Sequence, residues 1–168
     1  TLVRRWARPT LYVNGLFGGF MGEGSSTIIP ARCGAKVSMR LVPDQDPDTI
    51  SHAFDEAVRA LAPPSVRLTV KTLANASPYA CPMESPGMKA AAAAVEEGFG
   101  TAPVYIREGG TLPILPEFKR LLGADSLLMG FCLPNCNAHG PNEFLVLEDF
   151  WGGIRAAAHL LEKMAKVR

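Results

Sequence analysis

The sequence has few histidines and cysteines and no excess of charge of either sign. Its 168 residues include 3 His and 4 Cys, and 17 basic residues against 16 acidic ones give a formal net charge of +1. Four dispersed cysteines are too few for a disulfide-stabilised scaffold. Without a block of Lys and Arg, the sequence gives no electrostatic support for binding nucleic acid or an anionic membrane.

Long apolar runs are also missing. No run reaches the roughly 20 residues that a membrane-spanning helix needs, and no apolar signal-peptide core follows the arginines near the start. We therefore expect a cytoplasmic protein. The hydrophobic fraction of 48% is enough to fill a core. Because the sequence begins at Thr1 without Met, we also expect it to be a piece of a longer polypeptide.

The first segment is rich in strand patterns. Residues 11–13 read as a short strand, and the glycine-rich residues 14–27 read as a loop or hairpin region. Apolar and polar residues alternate over 35–42 and again over 66–72, which predicts two further strands. Between them, Asp46 as a cap and Pro47 in the first turn predict a helix that the prolines at 63–64 end. The segment predicts an antiparallel sheet with a helix on one face, which is an α+β layout.

The second segment changes character after a proline-rich stretch, so we place a domain boundary between residues 75 and 76. A helix is predicted from Ser85–Pro86 to about Gly98, and another ends at Gly123. The apolar runs 103–106 and 126–131 predict buried strands. A long last helix carries an apolar stripe of Phe150, Ile154, Ala157, Ala158 and Leu161. Alternating helices and strands predict part of a parallel α/β sheet, for which two strands are few.

Polar loops follow both predicted strands of the second segment. In open α/β sheets the ligand site lies beyond the carboxyl ends of the strands, so loops 107–113 and 132–143 are expected at one edge. Their side chains with chemical capacity are Glu108, Thr111, His139, Asn142 and Glu143. Gly109 and Gly110 let the backbone approach a ligand closely. A salt bridge between Glu108 and Arg107, or a simple glycine turn, is the alternative interpretation.

Two cysteines near His139 leave a second interpretation open. Cys132, Cys136 and His139 have the spacing C-x3-C-x2-H, but a structural zinc site needs four ligands. Cys33 and Cys81 lie in separate segments, so buried free thiols are the favoured interpretation. The remaining histidines, His52 and His159, lie within predicted helices and are interpreted as structural or solvated.

These pieces, in this order, resemble the M20 family of metallopeptidases, in particular its dipeptidase-like branch. Residues 9–47 resemble the lid, or dimerisation, domain of that family. The sequence REGGTLP, a helix, and then GFCLPNCNAHGPNEF resemble the last part of its catalytic domain. The resemblance implies an α/β fold in which residues 1–75 belong to the lid domain and residues 76–168 to the catalytic domain. It also implies a homodimer that hydrolyses a peptide or an N-acyl amino acid.

The resemblance implies a role for each matching residue. His139 matches the last zinc ligand of a two-metal site. Arg40 and Thr27 match lid residues that hold the substrate carboxylate across the dimer. The positions that contact the substrate in the family correspond to Glu108, Gly109, Gly110 and Thr111. Asn142 and Glu143 are expected to support the loop of the ligand histidine.

Several parts of the family pattern are missing. The sequence contains no His-x-Asp motif, and the general base and the remaining metal ligands of the family lie in an upstream half. Asn75 or a neighbour stands where dipeptidase-like members carry another histidine. We therefore expect the chain alone to be inactive and without a complete two-metal site. The alternatives are a dimerisation or interaction module without catalysis, and a small structural zinc domain.

Overall fold

A computed structural model describes residues 2–107 and 112–167. The chain divides into two compact units. One comprises Thr1–Pro78 with Arg107–Pro113, and the other comprises Tyr79–Ile106 with Ile114–Arg168. Each unit has its own packing and is treated separately below.

The first unit contains a two-stranded antiparallel sheet. Strand β1 spans Thr10–Gly18 and strand β2 spans Cys33–Arg40, with Thr10 opposite Arg40 and Gly18 opposite Cys33. The register shifts between Val13 and Gly15, so Asn14 is the extra residue of a β-bulge. The strand thus continues beyond the predicted residues 11–13, into the stretch that was predicted to be a loop or hairpin region.

Side chains on both faces of β2 follow the predicted alternation. Val37 and Met39 are half-buried, whereas Lys36, Ser38 and Arg40 are exposed. The bulge residue is held by its amide, since Asn14 Nδ2 donates to Ser38 Oγ at 2.8 Å. Strand β2 therefore has one half-buried apolar face and one polar face, whereas the large apolar side chains of β1 are exposed.

Helix α2, Pro47–Leu61, begins where the sequence predicts. The Asp46 carboxylate accepts a hydrogen bond from the Thr49 N–H at 2.7 Å, and Pro47 needs no donor partner in the first turn. The following segment, 66–75, runs alongside this helix, and two side-chain contacts join them. Ser51 and Thr72 hydroxyls are 2.8 Å apart, and Asn75 Nδ2 donates to Asp48 Oδ1 at 2.6 Å.

The second unit is organised around two helices, α3 (Pro86–Phe99) and α5 (Leu147–Met164), which pack against each other. Their contact surface is made of very small residues: the buried ones are Ala91, Ala94, Gly98, Gly152, Gly153 and Ala156. A Cβ atom at Gly98 would lie 2.6 Å from the backbone nitrogen of Ala156. Hydrogen at this position therefore lets the two backbones approach each other closely.

The face that α5 buries differs from the prediction. The predicted apolar stripe is exposed, with Phe150 at 44%, Ile154 at 48% and Leu161 at 75% of full exposure. The helix instead turns Gly152 and Ala156 toward α3, because small residues permit the closer backbone contact, and Gly153 faces the Phe131 ring. The large apolar side chains of the stripe remain uncovered by the described residues.

Three of the predicted strands form no ladder. Residues 66–72, 103–106 and 126–131 are not assigned as strands, and β1 and β2 form the one sheet of the described residues. A strand ladder needs a paired neighbour, and these segments leave apolar side chains such as Val104 exposed at 84%. The alternation over 66–72 and the apolar runs over 103–106 and 126–131 are strand patterns without a paired strand in the described part of the chain.

Two shorter helices complete the described elements. Helix α1 spans Leu2–Ala7, and helix α4 spans Ile114–Leu122 and ends before Gly123 as predicted. In the ranges that the structure describes, every helix is too short or too polar to cross a bilayer. The helices and the antiparallel sheet together agree with the predicted mixed α/β fold class.

Candidate functional site

The loop 132–143 carries His139 in the second unit and is folded by its own backbone. The Cys136 N–H donates to the Leu133 carbonyl at 3.1 Å, and the Gly140 N–H donates to the Asn137 carbonyl at 2.7 Å. The Phe144 N–H then donates to the Cys136 carbonyl at 3.0 Å. This last bond closes the loop, so Cys136 and Phe144 form its two stems.

Three residues of this loop have a left-handed backbone without being glycine. The φ angles are +57° at Asn137, +63° at His139 and +57° at Asn142. Asn and His occur in this region more often than most other residues with a side chain, but the conformation is still uncommon for them. Observed strain of this kind is typical of residues that present a side chain to a ligand.

His139 is exposed on this strained turn. Its imidazole forms no hydrogen bond or ion pair with the residues that the structure describes, so both ring nitrogens are available to an external partner. A neutral imidazole nitrogen is a good ligand for zinc and similar ions. The chemistry of His139 therefore fits one metal ligand.

Cys132 and Cys136 do not combine with His139 into a metal cluster. Within the described ranges, no group of three His, Cys, Asp or Glu side chains is placed to hold a metal ion. Cys136 is buried, whereas Cys132 is exposed, and both are free thiols. The prediction of buried free thiols is right for Cys136 and wrong for Cys132, whose thiol is exposed.

Asn142 and Glu143, predicted to support the histidine loop, lie between His139 and the Phe144 stem. Both side chains are exposed. The carboxylate of Glu143 lies near enough to Cys132 to be one of the groups that raise the pKa of that thiol. Asn142 is one of the left-handed residues of the loop, and Glu143 adds a carboxylate next to it.

The two predicted carboxylate-binding residues are in the first unit. Arg40 is the last residue of β2, and Thr27 lies in the connection between β1 and β2. Both are exposed, and neither side chain has a hydrogen-bond or ion-pair partner among the described residues. The predicted substrate contacts Glu108, Gly109, Gly110 and Thr111 lie outside the described residues.

The remaining histidines have structural surroundings, as expected. His52 on α2 is exposed, with Nε2 3.2 Å from Glu56. Half-buried His159 on α5 has Nδ1 3.1 Å from Glu97 on α3. Neither histidine lies in a glycine-rich loop.

A groove in the first unit contains none of the predicted site residues. It has a volume of about 510 Å³ and lies between α2 and the segment 66–75. Its lining residues are Asp48, Ser51, His52, Asp55, Arg59, Val70, Thr72 and Asn75. The carboxylate Oδ2 of Asp55 is already taken by Arg59 Nε at 2.8 Å, so the groove is largely a set of paired side chains.

Sequence reasoning missed the contacts that hold the loop. The burial of Cys136 and the bond from Phe144 to Cys136 depend on a fold between residues eight positions apart. One signal was present: Asn and Gly recur at 135, 137, 140 and 142, which is typical of left-handed turn positions.

Comparison with known proteins places this geometry in context. Residues 2–66 match the peptidase dimerisation domain of the M20 type. The Cys-Gly metallodipeptidase dug1 of Schizosaccharomyces pombe is 29% identical over 170 residues, which cover 99% of this chain and 36% of that protein. The chain spans about a third of the length of the curated relatives it matches.

Solved structures agree with the sequence matches. A di-peptidase, Dug1p from Saccharomyces cerevisiae, superimposes with a TM-score of 0.83 at 28% identity, over 98% of this chain and 35% of that one. An M20 family metallo-carboxypeptidase, Sso-CP2 from Sulfolobus solfataricus, gives a TM-score of 0.79 at 28% identity, over 95% of this chain and 36% of that one. The predicted resemblance to M20 metallopeptidases is confirmed.

Proposed function

We propose that this chain is the C-terminal part of an M20-type metallopeptidase that hydrolyses the amide bond of a peptide or an N-acyl amino acid. The observation that carries the proposal is similarity to a metallodipeptidase over 99% of the chain. The presentation of His139 on a strained, exposed turn supports it independently. Dipeptides are the first substrate class to test, because relatives are named for Cys-Gly and β-Ala-His.

The two segments take different tasks in this proposal. Residues 1–75 form part of the lid, or dimerisation, domain, and the dimerisation-domain match to residues 2–66 supports this. Residues 76–168 form the last part of the catalytic domain. The change of compact unit at Pro78 lies close to this boundary.

His139 is proposed to be one ligand of a two-zinc site. The other ligands and the general base would come from residues upstream of this chain, since no His-x-Asp motif occurs in it. A zinc site that includes His139 would supply polarisation of the scissile carbonyl and a lower pKa of a bound water. The part of this chain is to hold the backbone at His139 in place, which the hydrogen bonds within the loop 136–144 do.

Arg40 and Thr27 are proposed to bind the substrate carboxylate. A guanidinium can pair with a carboxylate through two parallel hydrogen bonds, and the Arg40 side chain is exposed and without a described partner. Glu108, Gly109, Gly110 and Thr111 are proposed to contact the rest of the substrate. Holding the carboxylate places the amide bond at a fixed distance from the reacting groups.

The lid is proposed to act across a homodimer in the cytoplasm. In that arrangement Arg40 and Thr27 of one subunit serve the site of the other. Self-association through the first segment is what the dimerisation-domain match supports. A second function follows from the same match: a module that dimerises without catalysis.

The deciding experiment compares the 168-residue chain with the complete reading frame that contains it. We expect no hydrolysis of Cys-Gly or β-Ala-His by the chain with added Zn²⁺, and hydrolysis by the complete protein. His139→Ala in the complete protein should lower kcat/KM by at least about a hundredfold, with His52→Ala as the matched control. Hydrolysis by the short chain that His139→Ala abolishes would contradict the proposed division of the site. Dimerisation of a complete protein that hydrolyses neither dipeptide would favour the non-catalytic module.

A further inference from the structure

The loop that carries His139 also contains a pair of free thiols. Cys132 is exposed and Cys136 is only 5% exposed. The turn from Leu133 to Cys136, closed by a 3.1 Å backbone hydrogen bond, brings the chain back toward Cys132. Cys136 is one of the groups that raise the pKa of the Cys132 thiol, so the two thiols lie near each other. An exposed thiol beside a buried one is the arrangement of an attacking and a resolving cysteine.

We propose that Cys132 and Cys136 are a site of reversible oxidation, forming an intramolecular disulfide by exchange with a small disulfide such as oxidised glutathione. In the first step the Cys132 sulfur, after losing its proton, attacks the small disulfide and expels one glutathione thiolate. In the second step the deprotonated Cys136 sulfur attacks the mixed disulfide at Cys132 and expels the second glutathione. Two protein thiols lose two protons and two electrons, and one glutathione disulfide becomes two thiols.

The remaining cysteines lack such a neighbour. Cys33 begins β2 in the first unit and is exposed, whereas Cys81 is half-buried, and its desolvation raises the pKa of its thiol. The second step at Cys132 is intramolecular, so its effective thiol concentration is far above that of a thiol in solution. Oxidation should therefore stop at a mixed disulfide at Cys33 and proceed to an internal disulfide at Cys132.

The surroundings of the pair slow its reaction with an oxidant. Partial desolvation raises the pKa of the Cys132 thiol, and Cys136, Glu143 and Asp149 raise it further. A protonated thiol reacts slowly. The thiol–disulfide exchange of the pair is thus slow at neutral pH. Because Cys136 is also one stem of the loop that carries His139, the redox state of the pair is coupled to that loop.

The experiment uses the 168-residue chain in a series of oxidised-to-reduced glutathione ratios, followed by acid quenching, alkylation and tryptic mass mapping. Cys132 and Cys136 share one tryptic peptide, 121–155, whereas Cys33 and Cys81 fall in peptides 33–36 and 72–89. We expect peptide 121–155 to lose the mass of two hydrogens and to resist alkylation. The ratio of oxidised to reduced glutathione at which this change occurs should be roughly tenfold or more below the ratio at which Cys33 forms a mixed disulfide.

Two variants make the result specific. Cys136→Ser should stop the reaction at Cys132 with one bound glutathione, whereas Cys33→Ser should leave the internal disulfide unchanged. The proposal is wrong if the wild-type peptide 121–155 gains glutathione without losing two hydrogens. It is equally wrong if Cys132 pairs with another peptide. Both outcomes are read on the wild-type chain, and neither depends on the proposed peptidase activity.

Discussion

At the scale of single residues, Gly98 is the position where an added Cβ on α3 would meet the backbone of α5. A methyl group there would meet the backbone of Ala156 at 2.6 and 2.8 Å, and backbone atoms have no rotamer with which to move away. We expect Gly98→Ala to lower the free energy of unfolding by about 1–3 kcal/mol. Urea denaturation followed by circular dichroism measures this difference. Gly130→Ala is the matched control, because nothing lies within 4 Å of its added Cβ.

The left-handed residues of the histidine loop give a second prediction at this scale. Asn142 has φ +57°, a region that costs a residue with an ordinary Cβ roughly 1–2 kcal/mol and costs glycine little. We therefore expect Asn142→Ala to lower the thermal midpoint and Asn142→Gly to leave it nearly unchanged. If both variants lowered the midpoint equally, the Asn142 side chain rather than its backbone conformation would be what the loop requires.

At the scale of helices, charged side chains join α3 to α5. Glu97 accepts a hydrogen bond from Lys163 Nζ at 2.5 Å and lies 3.1 Å from His159 Nδ1. The hydrogen bond from Lys163 lowers the pKa of Glu97, and the charges of Lys163 and His159 add to this effect. A carboxyl whose pKa is lower in the folded state stabilises the fold above its unfolded pKa, about 4.3, and loses that contribution as the pH falls through the lowered value.

The corresponding variant is Glu97→Gln. It should lower the free energy of unfolding near pH 7 and make this free energy fall less steeply between about pH 5 and pH 3. Urea midpoints measured across that pH range test this. Because Glu97 is about half exposed, the effect should shrink in high salt. Glu96→Gln is the control, since the Glu96 side chain has no ion pair within the described part of the chain. Equal flattening by both variants would contradict the role of Glu97.

Local signals predicted the helices better than the strands. Asp46 with Pro47, Ser85 with Pro86, and Gly123 mark helix ends through bonds that lie within one turn, so a single sequence contains the needed information. Residues 66–72 alternate like a strand and residues 126–131 form an apolar run, but a ladder also requires a partner that is distant in sequence. The site divides in the same way: motif order indicated His139 and Arg40, whereas the bond from Phe144 to Cys136 needed the structure.

At the scale of the whole chain, the notable property is how little is buried. Four hydrophobic residues of the described ranges are fully buried, Ala91, Ala94, Cys136 and Ala156, and none has a large side chain. Large apolar residues on α5 are exposed to solvent instead, including Trp151 at 55% and Leu147 at 67% of full exposure. Apolar surface of this extent is typical of an interface or of a missing neighbour.

This exposure predicts the behaviour of the isolated chain in solution. It should bind a hydrophobic dye such as ANS and self-associate more as its concentration rises. Ile154→Lys on the open face of α5 should lower dye fluorescence while circular dichroism keeps the helical signal. Ser65→Lys, at an exposed position of the first unit, supplies the same change of charge as a control. Dye binding that neither variant changes would place the relevant surface elsewhere.

The contact between Gly153 and the Phe131 ring, where an added Cβ would lie 2.9 Å from the ring, has a consequence for the entropy of the histidine loop. Phe131 directly precedes the loop, and α5 begins shortly after it. Both ends are therefore fixed by the same helix, and the entropy cost of closing the loop is met when α5 packs on α3. A partner that binds His139 therefore meets a loop that folding has already closed. Little of the binding free energy is then lost to ordering the chain.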